Sequence, residues 1–336
     1  KQILILSEKQ IIMKDGAIVI LVARSNIILK TLDSLYQNWN KKFNYPVYIH
    51  TFGTIINENL KKKIHKEIDK NIKFIEIKPS VPEHIKEEQL FYNRTYIDYV
   101  KKSFSKKRLG YLHMCHFFFN VTSFGETGCI GNDLKTYDKI MFFDDDINLK
   151  KKVDKDLFKL LDHNIIVGAF ESKANKKKEF YETNSNLWSF FRNFILKNNI
   201  SPAEEDLMKS IKSDDENYLF NSSYHSGCFA LYNIKKINDL NWKNFYEKVN
   251  SSGGIYKYRW NPAILIEIYV KTFFKKSILN LNFLDDKIID NKAEGSDPHI
   301  HFGYSDSYNS LIMKIFLNFL AFTKSVIKKI GKIFNL

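Results

Sequence analysis

The chain has 336 residues, 44% of them hydrophobic and 15% aromatic, with only 13 Gly and 6 Pro. That composition excludes disordered, collagen-like and low-complexity proteins, and three cysteines exclude a disulfide-framework scaffold. The net charge of +14 is carried almost wholly by lysine, since only Arg24, Arg94, Arg108, Arg192 and Arg259 are arginines. Nucleic-acid readers lean on arginine for bidentate contacts, so this surplus favours a solvated lysine surface or attraction to an anionic partner over base reading.

Ala17-Ile-Val-Ile-Leu-Val22 is a continuous β-branched run and predicts a buried strand of a parallel sheet. A helix is predicted over Ile28 to Trp39, a strand over Tyr45 to His50, a charged helix over Glu58 to Lys70 and a strand over Ile72 to Ile77. This alternation has βαβ spacing. A helix follows over Gly110 to Phe119, with Met114, Phe117 and Phe118 as core candidates. Tyr137 to Phe143 is an apolar strand running into Asp144-Asp145-Asp146, and Ile165 to Phe170 is another strand. Residues 173–217 are a polar excursion carrying helices around Trp188, Phe190 and Phe191. Strand character resumes over Gly227 to Ile234, and Trp260 to Phe274 reads as a helix. The fold class expected is α/β with a mixed, mostly parallel sheet, built as one catalytic domain over 1–308.

Residues 309–336 differ. On a helical wheel Lys314, Lys324, Lys328, Lys329 and Lys332 fall within about 80° of one direction, with Ile312, Phe316, Phe319, Ile327, Ile330 and Phe334 opposite. A basic amphipathic helix of this kind lies in a membrane interface. No run reaches the 18 or so apolar residues of a membrane span. The first residue is Lys1 and not Met, which leaves room for a leader or anchor upstream.

The acidic cluster is the strongest local signal. Two carboxylates at i and i+2, just past a strand end, project to the same side and can hold a divalent cation through oxygen. Ligands of α/β folds bind at the carboxyl ends of strands, and nucleotide-sugar transferases place an Asp-x-Asp motif there to bind the metal of the diphosphate. A polar turn is the competing reading. His299 and His301, in Asp297-Pro-His-Ile-His301, could complete the site. His113 and His116 are spaced i,i+3 without a Glu-x-x-His context and read as structural or substrate-facing. Cys115, Cys129 and Cys228 fit no zinc spacing. The absence of a Walker loop and of Gly-x-Gly-x-x-Gly weakens kinase, ATPase and dehydrogenase readings.

Several stretches, taken in order, resemble one family, the fungal α-1,2-mannosyltransferases of glycosyltransferase family 15. They are Ala17 to Val22, Lys42-Phe-Asn-Tyr-Pro-Val-Tyr-Ile49, Gly110-Tyr-Leu-His-Met-Cys-His116, Tyr137 to Ile147, Asn186-Leu-Trp188, Gly227-Cys228, Gly253-Gly-Ile-Tyr-Lys-Tyr-Arg-Trp260 and Phe283-Leu-Asp-Asp286. The resemblance implies a GT-A fold and retaining transfer of mannose from GDP-mannose to a glycan hydroxyl with Mn²⁺. In the family's Glu-Pro-Asp metal motif Asp144 stands for the Glu and Asp146 for the Asp, with Asp145 at the Pro. The family's second ligand, a His after Phe-x-Asp-Asp, is matched first by His299 and then by His301. Tyr111 matches a tyrosine near the donor phosphates, and Asn44-Tyr45-Pro46 part of the wall beside the nucleotide.

Two departures stand out. Ungapped counting from Gly227-Cys228 puts Lys235 at the family's candidate nucleophilic Glu, and Asn261-Pro262 replaces a Gly-Asp. Glu267 could take over an acidic role. The partners implied are a nucleotide sugar, a glycan on protein or lipid, and a membrane surface through 309–336, with no nucleic acid favoured. The location implied is the Golgi lumen for a eukaryotic chain with an upstream anchor, and otherwise the cytoplasmic membrane face. The rival readings are a GT-A transferase using another nucleotide sugar, and a non-catalytic basic module binding RNA or membrane.

Overall fold

The structure is a computed structural model, which describes residues 15–91, 105–121, 132–168, 171–172, 183–225, 227–238, 240–281 and 289–290. Among the described residues the strands are β1 (Gly16–Val22), β2 (Val47–Phe52), β3 (Lys73–Ile77), β4 (Lys139–Phe143), β5 (Asn148–Leu149), β6 (Ile166–Gly168), β7 (Glu171–Ser172), β8 (Tyr224–His225), β9 (Phe229–Asn233), β10 (Ile278–Asn280) and β11 (Ile289–Asp290). Seven of them form one sheet in the order β10-β6-β9-β4-β1-β2-β3. All neighbours in it are parallel except β9, which runs antiparallel to both β4 and β6. The expected mixed, mostly parallel sheet is present.

β1 and β4 are buried along their whole length, as the absence of polar alternation in their sequences requires for strands covered on both faces. Ala17, Val19 and Leu21 join Phe142, Tyr232 and the helices Ser105–Val121, Leu240–Ser252 and Pro262–Phe273 on one side. Ile18, Ile20 and Val22 join Met141, Phe143 and the helix Ile28–Leu35 on the other. The excursion does carry helices, over Leu187–Lys197, Glu205–Ser213 and Asn217–Asn221, and Trp188, Phe191 and Phe194 pack into the first of these cores.

The element after Arg259-Trp260 begins at Asn261, whose side chain caps it by accepting the N–H of Ala263, with Pro262 at the first helical position. Asn261-Pro262 is therefore a helix start. Just before it, Gly254 lies so close to Trp260 that a β-carbon would fall 2.1 Å from the indole Cε3. Trp260 is buried and donates its Nε1–H to the Ser185 carbonyl at 2.8 Å, so it cannot step aside. Gly254→Ala is expected to cost about 3 kcal/mol through overpacking, read as a lowered Tm.

Three histidines, His50 and His113 buried and His116 half-buried, lie on or against the Ser105–Val121 helix. His50 is fully buried on β2 and neither ring nitrogen has a partner. His113 Nδ1 lies 3.0 Å from the Tyr256 hydroxyl, and His116 Nε2 lies 3.3 Å from Asn250 Oδ1. Burial holds all three near a pKa of about 4. A histidine whose folded pKa lies below its unfolded value binds protons preferentially in the unfolded chain. Stability is thus complete above about pH 6.5 and falls as pH drops toward 4, by roughly 3 kcal/mol per histidine at pH 4. His50→Leu is expected to shift acid unfolding to lower pH while changing stability at pH 8 by less than about 1.5 kcal/mol; Tm against pH checks both.

Candidate functional site

β1 and β4 are parallel neighbours, so Ala23-Arg24 and Asp144-Asp145-Asp146 leave the sheet at the same, carboxyl edge. Antiparallel β9 enters there: Phe229 stands opposite Phe143, and the Asp144 N–H donates to the Cys228 carbonyl at 2.9 Å. The Ile147 N–H donates back to the Asp144 carbonyl at 3.2 Å, closing the acidic residues into a turn.

The three aspartates have different jobs. Asp145 is 1% exposed. Its Oδ2 accepts the backbone N–H groups of Ala23 at 2.8 Å and Arg24 at 2.9 Å, and its Oδ1 accepts from Arg24 Nη2 at 2.5 Å. Its own carbonyl accepts the Thr31 hydroxyl. Asp146 meets the same Arg24 Nη2 at 2.8 Å. Asp144 has no donor to its carboxylate among the described residues. Burial pushes its pKa well above the usual carboxylate range, Asp146 and Asp145 push it further, and Arg24 only partly opposes them. Asp144 is therefore a carboxylate whose ionised form lacks a counter-charge.

A divalent cation fits this donor set. Asp144 and Asp146 offer hard oxygen ligands two residues apart, and the charge surplus is what a cation relieves. Among the described residues no three His, Cys, Asp or Glu side chains converge on one point. His299 and His301 lie outside the described residues. β11 pairs antiparallel with β5, placing Asp290 opposite Asn148.

Tyr111 is half-buried on the Ser105–Val121 helix, with the Arg259 guanidinium 4.6 Å from its ring centroid. On this helix Phe117 packs on His50 and His113 on Phe52, at the carboxyl end of β2. The helix thus runs against the strands, and Tyr111 lies toward the acidic edge. Arg259 is held in a left-handed conformation at φ 56°, a rare state for a non-glycine residue. Burial pushes the Cys115 thiol up to about 12, so it is no nucleophile. Cys115 and Cys228 are not joined to each other, and Cys129 lies outside the described residues.

Two expectations are corrected by the sheet. Asn44, Tyr45 and Pro46 precede β2, and the Pro46 carbonyl accepts the Ile18 N–H near the start of β1, so they occupy the amino edge. That edge is about 16 Å, one five-residue strand, from Asp144. There Asn44 takes a left-handed φ of 54°, Tyr45 stacks on Trp39 and bonds Asp156, and Asn40 bonds the Tyr45 backbone on both sides. They build a packed turn and do not line the acidic edge. Lys235 is likewise at the amino edge, because antiparallel β9 leaves the sheet where β4 begins; its Nζ pairs with Asp138 at 2.9 Å. It does not stand where a nucleophile would, and β9 itself carries no carboxylate. Glu267 is buried on the Pro262–Phe273 helix. It accepts the His225 N–H at 2.9 Å, lies 2.7 Å from His225 Nδ1 and pairs with Lys271 at 2.7 Å. That carboxylate is fully engaged in the core.

A family profile described as glycolipid 2-alpha-mannosyltransferase matches residues 5–292. The chain belongs to this family. Within it, a glycolipid 2-alpha-mannosyltransferase 1 of Candida albicans is 25% identical over 281 residues, 81% of this chain and 62% of its own length. A probable mannosyltransferase KTR3 of Saccharomyces cerevisiae is 27% identical over 185 residues, 52% of this chain and 40% of its own length. This glycolipid 2-alpha-mannosyltransferase family member thus spans less than two thirds of these curated relatives. Among solved structures, core-mannan synthase A (CmsA/Ktr4) from Aspergillus fumigatus in an Mn/GDP form superposes with a TM-score of 0.64 at 17% identity, over 83% of this chain and 75% of that one. The mannosyltransferase Ktr4p of S. cerevisiae superposes with a TM-score of 0.63 at 18% identity, over 87% and 78%. The fold is the GT-A-like fold of these proteins.

Arg24 escaped the sequence reading, in which it was one of five scattered arginines. The available signal was its place directly after the buried run Ala17 to Val22, at a strand's carboxyl end.

Proposed function

We propose that this protein is a metal-dependent retaining mannosyltransferase that moves mannose from GDP-mannose to a glycan hydroxyl. The observation that carries the reading is the division of labour in the acidic turn, where Asp145 is taken up by the fold and Asp144 and Asp146 are left as a carboxylate pair at the carboxyl edge. These two, with His299 or His301, would hold Mn²⁺. When bound, the cation supplies positive charge against the diphosphate as the nucleotide departs. Arg24 adds a fixed guanidinium beside the pair, and Tyr111 with Arg259 forms a second polar wall. Among the described residues β9 carries no carboxylate and Glu267 is engaged, which supports attack by the acceptor hydroxyl on the face the nucleotide leaves, with its proton passing to a phosphate oxygen.

The acceptor in this reading is a glycan on protein or lipid at a membrane surface, in the Golgi lumen for a eukaryotic chain. Among the described residues no helix is long and apolar enough to cross a membrane. Residues 309–336 lie outside the described residues, and deleting them is expected to release the protein from anionic vesicles in a sedimentation assay.

Thermal stability against nucleotides with and without Mn²⁺ tests the donor. GDP or GDP-mannose at 100 times its Kd should add about 2.7 kcal/mol, and only with Mn²⁺ present. A shift with UDP-sugars instead would keep the fold and change the donor. No shift with any nucleotide would favour a basic binding module.

A further inference from the structure

We propose that Asp145 is a positioning residue that clamps Arg24 across Asp146, so that one arginine both competes with the cation and waits for the diphosphate, coupling the two binding events. The inference rests on the donor-site reading above and deepens it.

Asp145 ties together two chain segments more than a hundred residues apart. Both of its carboxylate oxygens are spent on Ala23 and Arg24, so none is left for a cation. The grip is on the backbone of Arg24 as well as on its guanidinium, which fixes where the side chain starts and where it ends. Arg24 Nη2 is shared between Asp145 and Asp146. The remaining nitrogens, Nε and Nη1, are buried and find no acceptor among the described residues. Unpaired buried donors of a charged group are costly and call for an anion, and a guanidinium suits phosphate oxygens in particular.

Two carboxylates, Asp145 and Asp146, share one guanidinium at this edge. A cation that takes Asp146 must displace Arg24 Nη2 from it, which weakens cation binding when no nucleotide is present. Arg24 then retains only Asp145, and its charge is open to a diphosphate. Each ligand therefore removes the obstacle to the other, and the coupling must be reciprocal.

The test is calorimetric titration of the full chain with Mn²⁺ alone, GDP alone, and Mn²⁺ at saturating GDP, with circular dichroism melts to verify folding. In the wild type, GDP should tighten Mn²⁺ binding at least tenfold. Arg24→Gln should bind Mn²⁺ alone at least threefold more tightly and cut the coupling below threefold. Arg24→Lys keeps the charge but not the extra N–H groups, so it should leave Mn²⁺ affinity near the wild-type value and still lose the coupling. Asp145→Asn should still bind Mn²⁺ while losing GDP affinity, and the double variant with Arg24→Gln should be no worse than Arg24→Gln alone. Loss of Mn²⁺ binding in Asp145→Asn, additive losses in the double variant, or unchanged Mn²⁺ affinity in Arg24→Gln would each overturn the proposal. A wild type that binds GDP with Mn²⁺ but without coupling sinks this inference alone. A wild type that binds neither sinks the donor-site reading with it.

Discussion

Replacing Asp144 and Asp146 together by alanine is expected to lower donor turnover with Mn²⁺ by about a thousandfold or more. The electrostatic stabilisation of a leaving diphosphate is commonly the largest contribution to such a reaction, and losing one preorganised contact already costs about a hundred- to a thousandfold. The fold should survive. Asp144 accepts no protein hydrogen bond among the described residues, and its neighbours push its pKa up, so its ionised form opposes folding near neutral pH. Asp144→Ala on its own should therefore raise the Tm of the metal-free protein while removing activity. Wild-type turnover in the double variant would end the metal-site reading, and a collapse of Tm in Asp144→Ala would make that residue structural.

Glu267→Gln is expected to cost about 3 kcal/mol of stability at pH 7 and only a modest share of activity per folded molecule. Burial works against the Glu267 charge, yet the hydrogen bond and charge of His225, with Lys271, hold its pKa at about 2. Its side chain is 6% exposed, so solvent screens these contacts little. The folded pKa lies below the unfolded value near 4.5. The stabilisation is therefore complete above pH 4.5 and lost as pH falls toward 2, and about 2.5 units correspond to the figure given. Glutamine keeps the volume but leaves Lys271 without its counter-charge in a largely buried place, where breaking one partner of an ion pair is strongly destabilising. A Tm about 4 °C below wild type at pH 7 should be seen, and the gap should close in acid. A thousandfold loss of turnover with an unchanged Tm would instead return Glu267 to the reacting groups.

Much of the architecture was legible from local pattern. Unbroken apolar runs such as Ala17 to Val22 and Ile140 to Phe143 read as strands covered on both faces, and they are. The helix expected over Ile28 to Trp39 is present as one helical path, α-helical over Ile28–Leu35, wider over Tyr36–Asn40 and α-helical again over Lys41–Phe43 before β2. There Asn40 bonds the Tyr45 backbone, a contact five residues on that periodicity does not encode.

What the sequence determined by itself was the kind of chemistry: acids at the end of a buried strand in an α/β chain, with the order of segments that marks the family. What only the tertiary structure decided was the role of each residue. Asp144, Asp145 and Asp146 look alike in sequence, yet Asp145 is consumed by Ala23 and Arg24 from a strand more than a hundred residues away. Lys235 falls by ungapped counting at the family's candidate nucleophilic Glu, and the antiparallel direction of β9 carries it to the opposite edge of the sheet from the acidic turn. Burial and periodicity are local and can be read along the chain. Strand direction and cross-strand hydrogen bonds depend on which distant segments meet, and these decide which carboxylates face a ligand.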